Sequence, residues 1–309
     1  MPDVTVVIPL YGTHEGRDSL LAVTAAWLAQ DVPCEVVVAT AGDIPVTVAE
    51  DRDAHRRVRV VRADARLAAP GLLRNAGAAQ ARSPMLYLSD ADIAPLGRDY
   101  LRRALRLATA GRAFAQPWMH RLLGGLREGG PHGPVDCRPT GTDPFCFVRA
   151  GSDGSLRQCD DERLLWEERS YGTQRYPTPL VFPPAAGLAP GTHDDYQWRA
   201  PYHWGALLLA RRTFLEVGGY CPRYFGWGRE DDDLLVKAAA RDRVVRGWRA
   251  EPSLACLHFE HPLPFSEPSG ESPEWKANDA LYARRTAAGA DAMIEEDLAA
   301  RRDHGREVE

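Results

Sequence analysis

The sequence predicts an α/β fold, a mostly parallel, doubly wound sheet with helices on both faces. Three observations point there. Val4–Ile8, Glu35–Ala39, Val58–Val61 and Met85–Leu88 are short runs rich in apolar and β-branched residues, the pattern of strands buried on both faces. Segments with apolar residues at helical spacing lie between them. Pro and Gly punctuate the joints, as at Pro9-Leu10-Tyr11-Gly12. Alternation of this kind favours parallel strands joined by crossover helices.

Taken in order, Val4–Ile8 is the first strand and Ser19–Gln30 the first helix. Strands follow at Glu35–Ala39 and Val58–Val61. Leu72–Ala81 is a helix that stops before Pro84, because proline disfavours helical backbone in the residue preceding it. Met85–Leu88 then delivers Asp90 and Asp92 just past its carboxyl end, where open α/β sheets hold their ligands. Asp99–Ala110 is the next helix. Residues 111–200 carry Gly124-Gly125, Gly129-Gly130-Pro131 and Pro183-Pro184, and are expected to be an irregular insert with acceptor-site loops. Within it, Glu162–Arg169 reads as a short helix, and Trp118, Met119 and His120 as a possible acceptor wall. Gly205–Ala210 is a strand and Arg212–Val217 a helix ended by Gly218-Gly219. Asp231–Arg241 is a helix and Ser253–Leu257 a late strand leading to His258 and His261. The expected organisation is therefore 1–110, 111–200, 201–265 as the second half of the same domain, and a helical tail at 266–309.

Composition removes several function classes. Basic residues number 38 and acidic ones 43, for a net charge of −5, and no Lys/Arg-rich tract suggests nucleic acid as a partner. No apolar stretch is long enough to span a bilayer, so no integral membrane segment is expected. The first strand starts too early for a signal peptide to precede it. The six cysteines form no Cys-x-x-Cys pair and read as free thiols of a cytoplasmic protein.

Two acidic groups carry the chemistry. Glu230-Asp231-Asp232-Asp233 places four acids in succession, which is costly unless they bind cations, orient hydroxyls or take protons. The helix start eases the cost, because free amides there favour negative charge. Asp90-Ala91-Asp92 offers hard oxygen ligands suited to a divalent metal and a substrate phosphate. A turn or helix-capping role is the plainer alternative for either group.

The order of these motifs resembles a known family. The first strand with Pro9-Leu10-Tyr11, then Arg74-Asn75-Ala76-Gly77, then Leu86-Tyr87-Leu88-Ser89-Asp90-Ala91-Asp92, is similar to the GT-A glycosyltransferases, particularly inverting family 2. Gly218-Gly219-Tyr220 followed by Phe225-Gly226-Trp227-Gly228-Arg229-Glu230-Asp231-Asp232-Asp233 resembles the acceptor segment of β-1,4-galactosyltransferases, and related segments of chondroitin-type polymerases and polypeptide N-acetylgalactosaminyltransferases. The resemblance implies the GT-A fold, a UDP-sugar donor (N-acetylhexosamine or hexose), Mn²⁺ or Mg²⁺, and a hydroxylated acceptor that is a glycan, a natural product or a peptide. It implies Asp92 as metal ligand with Asp90 assisting, and His258 or His261 completing the metal shell. Asp231 would be the base that makes transfer inverting, with Glu230 orienting the acceptor or donor sugar. Pro9, Tyr11, Thr40, Asp43 and Arg74 would lie on the nucleotide side, Gly205 beside the donor sugar, and Trp227 against a sugar face. One departure stands out: Thr40 occupies the position where the family carries its base-reading acid, with Asp43 nearby as a substitute. GDP- or dTDP-sugars are the next donors to consider. Nucleotidyltransfer and noncatalytic sugar binding are the other classes.

Overall fold

The computed structural model describes residues 2–11, 16–42, 44–48, 57–63, 69–109, 111–122, 127–128, 135–137, 148–150, 156–158, 166–171, 174–179, 202–226, 228–251, 253–259 and 272–306. The strands are β1 (Val4–Leu10), β2 (Cys34–Ala41), β3 (Val58–Ala63), β4 (Met85–Leu88), β5 (Ile93–Pro95), β6 (Arg112–Ala115) and β7 (Trp118–Leu122). Short strands β8 (Arg127–Glu128), β9 (Val135–Cys137), β10 (Val148–Ala150), β11 (Leu156–Gln158), β12 (Trp166–Tyr171) and β13 (Gln174–Pro179) follow, then β14 (Leu207–Ala210), β15 (Arg243–Arg246) and β16 (Ala255–Phe259). The helices are α1 (Gly16–Leu28), α2 (Pro70–Ala79), α3 (Tyr100–Leu107), α4 (Arg211–Glu216), α5 (Glu230–Ala239), α6 (Gly247–Ala250), α7 (Pro273–Ala288) and α8 (Ala290–Arg306).

Seven strands form the central sheet in the order β15-β6-β14-β4-β1-β2-β3. β1 lies parallel to both β2 and β4, with Val7 opposite Val37 and Leu88. Every residue of β1 and β2 is buried, which explains their unbroken apolar character. Alternate side chains feed two cores. Val4, Val6 and Ile8 pack with Leu20, Val23 and Trp27 of α1 and with Tyr100 and Leu101 of α3. Val7 points the other way, to Ala78 of α2, Phe214 of α4, Leu234 and Ala238 of α5 and Ile294 of α8. Gly77 permits the close seating of α2: a Cβ there would stand 2.6 Å from Val7. β14 alone in this sheet runs against its neighbours, antiparallel to β4 and β6. The mostly parallel, doubly wound α/β architecture is as expected.

A second sheet, β5-β16-β7, sits at the carboxyl edge of the first. β16 pairs antiparallel with β5, setting His258 opposite Ile93, and parallel with β7. Trp118 and Met119 are buried, so as core residues they do not form the acceptor wall considered from sequence. The excursion after β7 returns at a defined point. Trp118 forms an antiparallel bridge with Tyr202, and the His203 amide donates to the Pro117 carbonyl at 3.1 Å.

Two expectations are corrected. The helix expected over Glu162–Arg169 is instead strand over its described part: β12 pairs antiparallel with β13, and that ladder outweighs the local helical preference. β1 runs on through Pro9 to Leu10, and β2 through Thr40 to Ala41, so the turn begins at Gly42 (φ 66°). Within the helical tail expected from 266 to 309, the described residues form α7 and α8. Among the described residues, no helix is long and apolar enough to cross a membrane.

Candidate active site

The site forms at the carboxyl ends of β1, β2 and β4, where α2, the residues before β14 and the start of α5 converge. Arg74 of α2 is its centre. It is 2 % exposed, and its guanidinium donates to Oδ1 of Asp90, to the Ser89 carbonyl at 3.4 Å and to Oδ1 of Asp231 at 3.3 Å. Its cation also lies 5.4 Å from the Tyr220 ring centroid. A planar fork with several donors can serve two carboxylates at once, which an ammonium cannot do as well. The two acidic motifs identified from sequence are therefore joined by one cation.

Each acid has its own surroundings. Asp90 also meets Nε2 of His203 at 2.7 Å. Burial pushes its carboxyl up, but Arg74 and His203 outweigh this and hold it down at about 2. Asp231 accepts from the Tyr220 hydroxyl at 2.9 Å. Burial raises its carboxyl above the ordinary range despite Arg74. Glu230 is 5 % exposed, and its Oε2 accepts from the Gly228 amide at 2.9 Å. Burial, with Asp231 adjoining, pushes Glu230 up to about 8. Gly205 faces this pair closely, since a Cβ there would lie 2.9 Å from Oδ2 of Asp231.

Asp92 and His258 come together across the β5–β16 ladder. Oδ2 of Asp92 lies 3.4 Å from Nε2 of His258, and the Phe259 amide donates to the Asp92 carbonyl at 2.9 Å. A buried carboxylate oxygen beside an imidazole nitrogen is a donor pair that fits Mn²⁺ or Mg²⁺. Among the described residues, no group of three or more His, Cys, Asp or Glu side chains is placed to hold a metal ion by itself. Two protein donors leave coordination positions for diphosphate oxygens and water, as these cations commonly require.

Tyr11 packs against Ala39, Ala41 and Leu73. Its hydroxyl is pushed well above its ordinary value by burial and then by Asp90 and Glu230. Pro9 pairs with Ala39 inside the sheet. Thr40 is fully buried, and its hydroxyl has no hydrogen-bond partner among the described residues. Asp43, Trp227 and His261 lie outside the described residues. Of the lesser acids, Asp232 accepts from Trp204 Nε1 at 2.7 Å and pairs with Arg229, while Asp233 is sealed in the core.

Sequence reasoning missed His203 and, although it quoted Tyr220 within a motif, gave that residue no role. Tyr220 closes the quoted Gly218-Gly219-Tyr220 motif, and His203 directly precedes Trp204-Gly205. Neither position announces its partner, because chain topology alone brings them to Asp231 and Asp90.

Comparison with known proteins bears on the fold and on one segment of the chain. Residues 192–261 match the family described as the N-terminal domain of galactosyltransferase. A stretch of 36 residues is 47% identical to mouse β-1,4-galactosyltransferase 4, covering 12% of this chain and 10% of the mouse protein. The chain thus matches about a tenth of that relative's length. Among solved structures, GalNAc-T7 with UDP, GalNAc and Mn²⁺ is similar at a TM-score of 0.50 and 15% identity, over 92% of this chain and 47% of that one. The catalytic domain of Drosophila β1,4-galactosyltransferase 7 with xylobiose is similar at 0.43 and 14% identity, over 90% and 80%. S. aureus TarS 1–349 with UDP-GlcNAc is similar at 0.46 and 14% identity, over 96% and 70%. The chain therefore has the GT-A glycosyltransferase fold, and the sequence of residues 192–261 is similar to the galactosyltransferase family.

Proposed function

We propose that this protein is a metal-dependent, inverting glycosyltransferase that moves a sugar from a UDP-sugar to an acceptor hydroxyl. The reading rests chiefly on Arg74, which joins Asp90 on the nucleotide side to Asp231 on the acceptor side. That bridge sets a candidate phosphate-side group and a candidate base in one cleft, as single displacement requires. Asp231 takes the acceptor proton. Its raised carboxyl makes it a better base than an ordinary aspartate while Arg74 keeps it ionisable. Tyr220 fixes the carboxylate by donating to Oδ1, leaving Oδ2 on the Gly205 side for the acceptor. Glu230, protonated at neutral pH, orients a hydroxyl by hydrogen bonding. Asp90, held ionised, keeps Arg74 and His203 in place.

Asp92 and His258 would hold the divalent cation, with His261 the other imidazole the sequence offers. A cation there would supply Lewis-acid neutralisation of the leaving diphosphate. Tyr11 lies where a base can stack, and Arg74 also provides positive charge near the phosphates. GalNAc-T7 binding UDP, GalNAc and Mn²⁺ supports a UDP-linked donor by analogy. A second reading keeps the transfer but changes the base: buried Thr40 replaces the expected acid, which favours weaker discrimination between UDP and GDP or dTDP.

The test is a sugar-nucleotide panel with Mn²⁺ or Mg²⁺, reading nucleotide release and, by NMR, the anomeric configuration of the product. Metal-stimulated release with β-linked product from an α-linked donor is expected. Absence of turnover with every donor, or retention at C1, overturns the reading.

A further inference from the structure

The acidic turn of α5 is held by a part of the chain outside the galactosyltransferase-family segment. That segment ends at residue 261, whereas α7 begins at Pro273. One face of α7 follows the approach to Glu230 and Asp231 almost residue by residue. Nδ2 of the buried Asn278 donates to the Phe225 carbonyl at 2.8 Å, and the Phe225 amide donates back to Oδ1 at 3.4 Å. Gly228 lies against Trp275 so closely that a Cβ would stand 2.8 Å from the indole. Arg229 donates through Nε to Asp279 at 2.8 Å, and its guanidinium sits 5.3 Å from the ring centroids of both Trp275 and Tyr282. Beyond the two acids, Arg285 donates through Nε to Oδ2 of Asp233 at 2.6 Å and through Nη2 to Oδ1 at 3.2 Å. Positions 275, 278, 279, 282 and 285 recur about one turn apart and so share a face.

These contacts do more than bury surface. Arg229, the residue just before Glu230, has φ 71°, a left-handed conformation that residues other than glycine seldom adopt. Such a conformation persists where surroundings fix it, and Asp279, Trp275 and Tyr282 surround this side chain. Asp233, on the other flank, is fully buried and ionically paired with Arg285 and Lys237, which both meet Asp297 of α8. Ion pairs in a desolvated setting hold geometry tightly, because a displaced partner leaves a charge without compensation. Arg229 just before the acid pair and Asp233 two residues after it are therefore both fixed by α7.

We propose that α7 is a template for the acid-bearing turn, with Asp279 and Arg285 as positioning residues that aim Glu230 and Asp231. The proposal rests on the reading of Asp231 as the base. The test uses the full chain with Asp279→Asn, Arg285→Lys and Arg285→Met. UDP with Mn²⁺ serves as the binding probe, and UDP release from UDP-galactose as the activity probe. Release is expected to fall toward about 10²-fold in Arg285→Met, the scale of loss for a displaced catalytic group. Asp279→Asn and Arg285→Lys should lose less, and UDP affinity should stay within about twofold, since the proposed nucleotide side is at β1, β2 and β4. Hydrogen exchange gives a readout independent of turnover. Amides 229–234 should lose protection in Asp279→Asn and Arg285→Met while those of β1 and β2 keep it. Wild-type exchange across 229–234 in both variants overturns the proposal, as does uniform loss of protection accompanied by loss of UDP binding. If the wild type releases no UDP, the functional reading fails while the exchange result still decides whether α7 sets the turn.

Discussion

Nη1 of Arg74 stands 3.3 Å from Oδ1 of Asp231, so α2 and the acidic helix α5 share one buried cation. Arg74→Met would leave Asp90 and Asp231 facing each other without it. Breaking a buried pair costs about 3–5 kcal/mol, and the lower end is expected because Asp90 is 33 % exposed. Urea denaturation would measure the loss. Arg74→Lys should fall between wild type and Met, since an ammonium spans the two carboxylates poorly.

Asp92→Ala and His258→Ala should each weaken Mn²⁺ binding by at least about tenfold, extrapolating from substitutions around metal sites. Electron paramagnetic resonance of free Mn²⁺ reports this directly. Wild-type affinity should also fall as pH drops, because the imidazole must be neutral to ligate. Unchanged binding in His258→Ala would assign the imidazole role elsewhere.

Asp231→Asn preserves side-chain size and removes the base. General-base contributions are about 10²–10⁴-fold, so transfer should fall by that order. UDP affinity, measured by calorimetry, should stay close to wild type. Equal loss of both would indicate a structural role.

Gly205→Ala tests the approach to the base. Its methyl would meet Oδ2 of Asp231 at 2.9 Å and Nη2 of Arg74 at 3.2 Å, so the carboxylate must shift. A displacement on the ångström scale costs up to about 10²-fold in rate. Steady-state kinetics should show this in kcat, with the melting temperature little changed.

Glu230 links stability to pH. Its carboxyl is raised from 4.5 to about 8, chiefly by burial and then by Asp231, so the folded chain holds a proton that the unfolded chain releases. Stability from this group is complete below the unfolded value and is lost as pH rises through the folded one. Thermal melts across that window should decline for wild type. Glu230→Gln should flatten the decline, and an unchanged slope would remove Glu230 as its cause.

Much of this arrangement was legible in the sequence, for physical reasons. β1, β2 and β4 were readable because strands covered on both faces must be apolar throughout. β6 and β15 were not: Arg112-Ala-Phe-Ala and Arg243-Val-Val-Arg are short, arginine-bearing, and defined by their pairing with each other and, for β6, with β14. The start of α7 did carry a signal, since Ser272 caps it by accepting from the Trp275 amide at 3.1 Å and Pro273 follows at the first position. The acidic motifs were visible because their chemistry is local. His203 was hidden because 113 residues separate it from Asp90, and Thr40 could be seen as a departure without revealing that its hydroxyl is sealed in β2.

The bridge between Trp118 and Tyr202 has a consequence for how such a protein can change. The chain leaves the framework after β7 and rejoins it at that bridge, beside strands already fixed by β14 and β16. The chain returns to the first residue of the strand along which it left, so the connection from 123 to 201 is exchangeable as one unit. Exchanging it for another of different length leaves Arg74, Asp92, Asp231 and His258 on the same scaffold. If the exchanged residues contact the acceptor as proposed from sequence, new acceptors can be explored by replacing one stretch of chain, without rebuilding the site around Arg74.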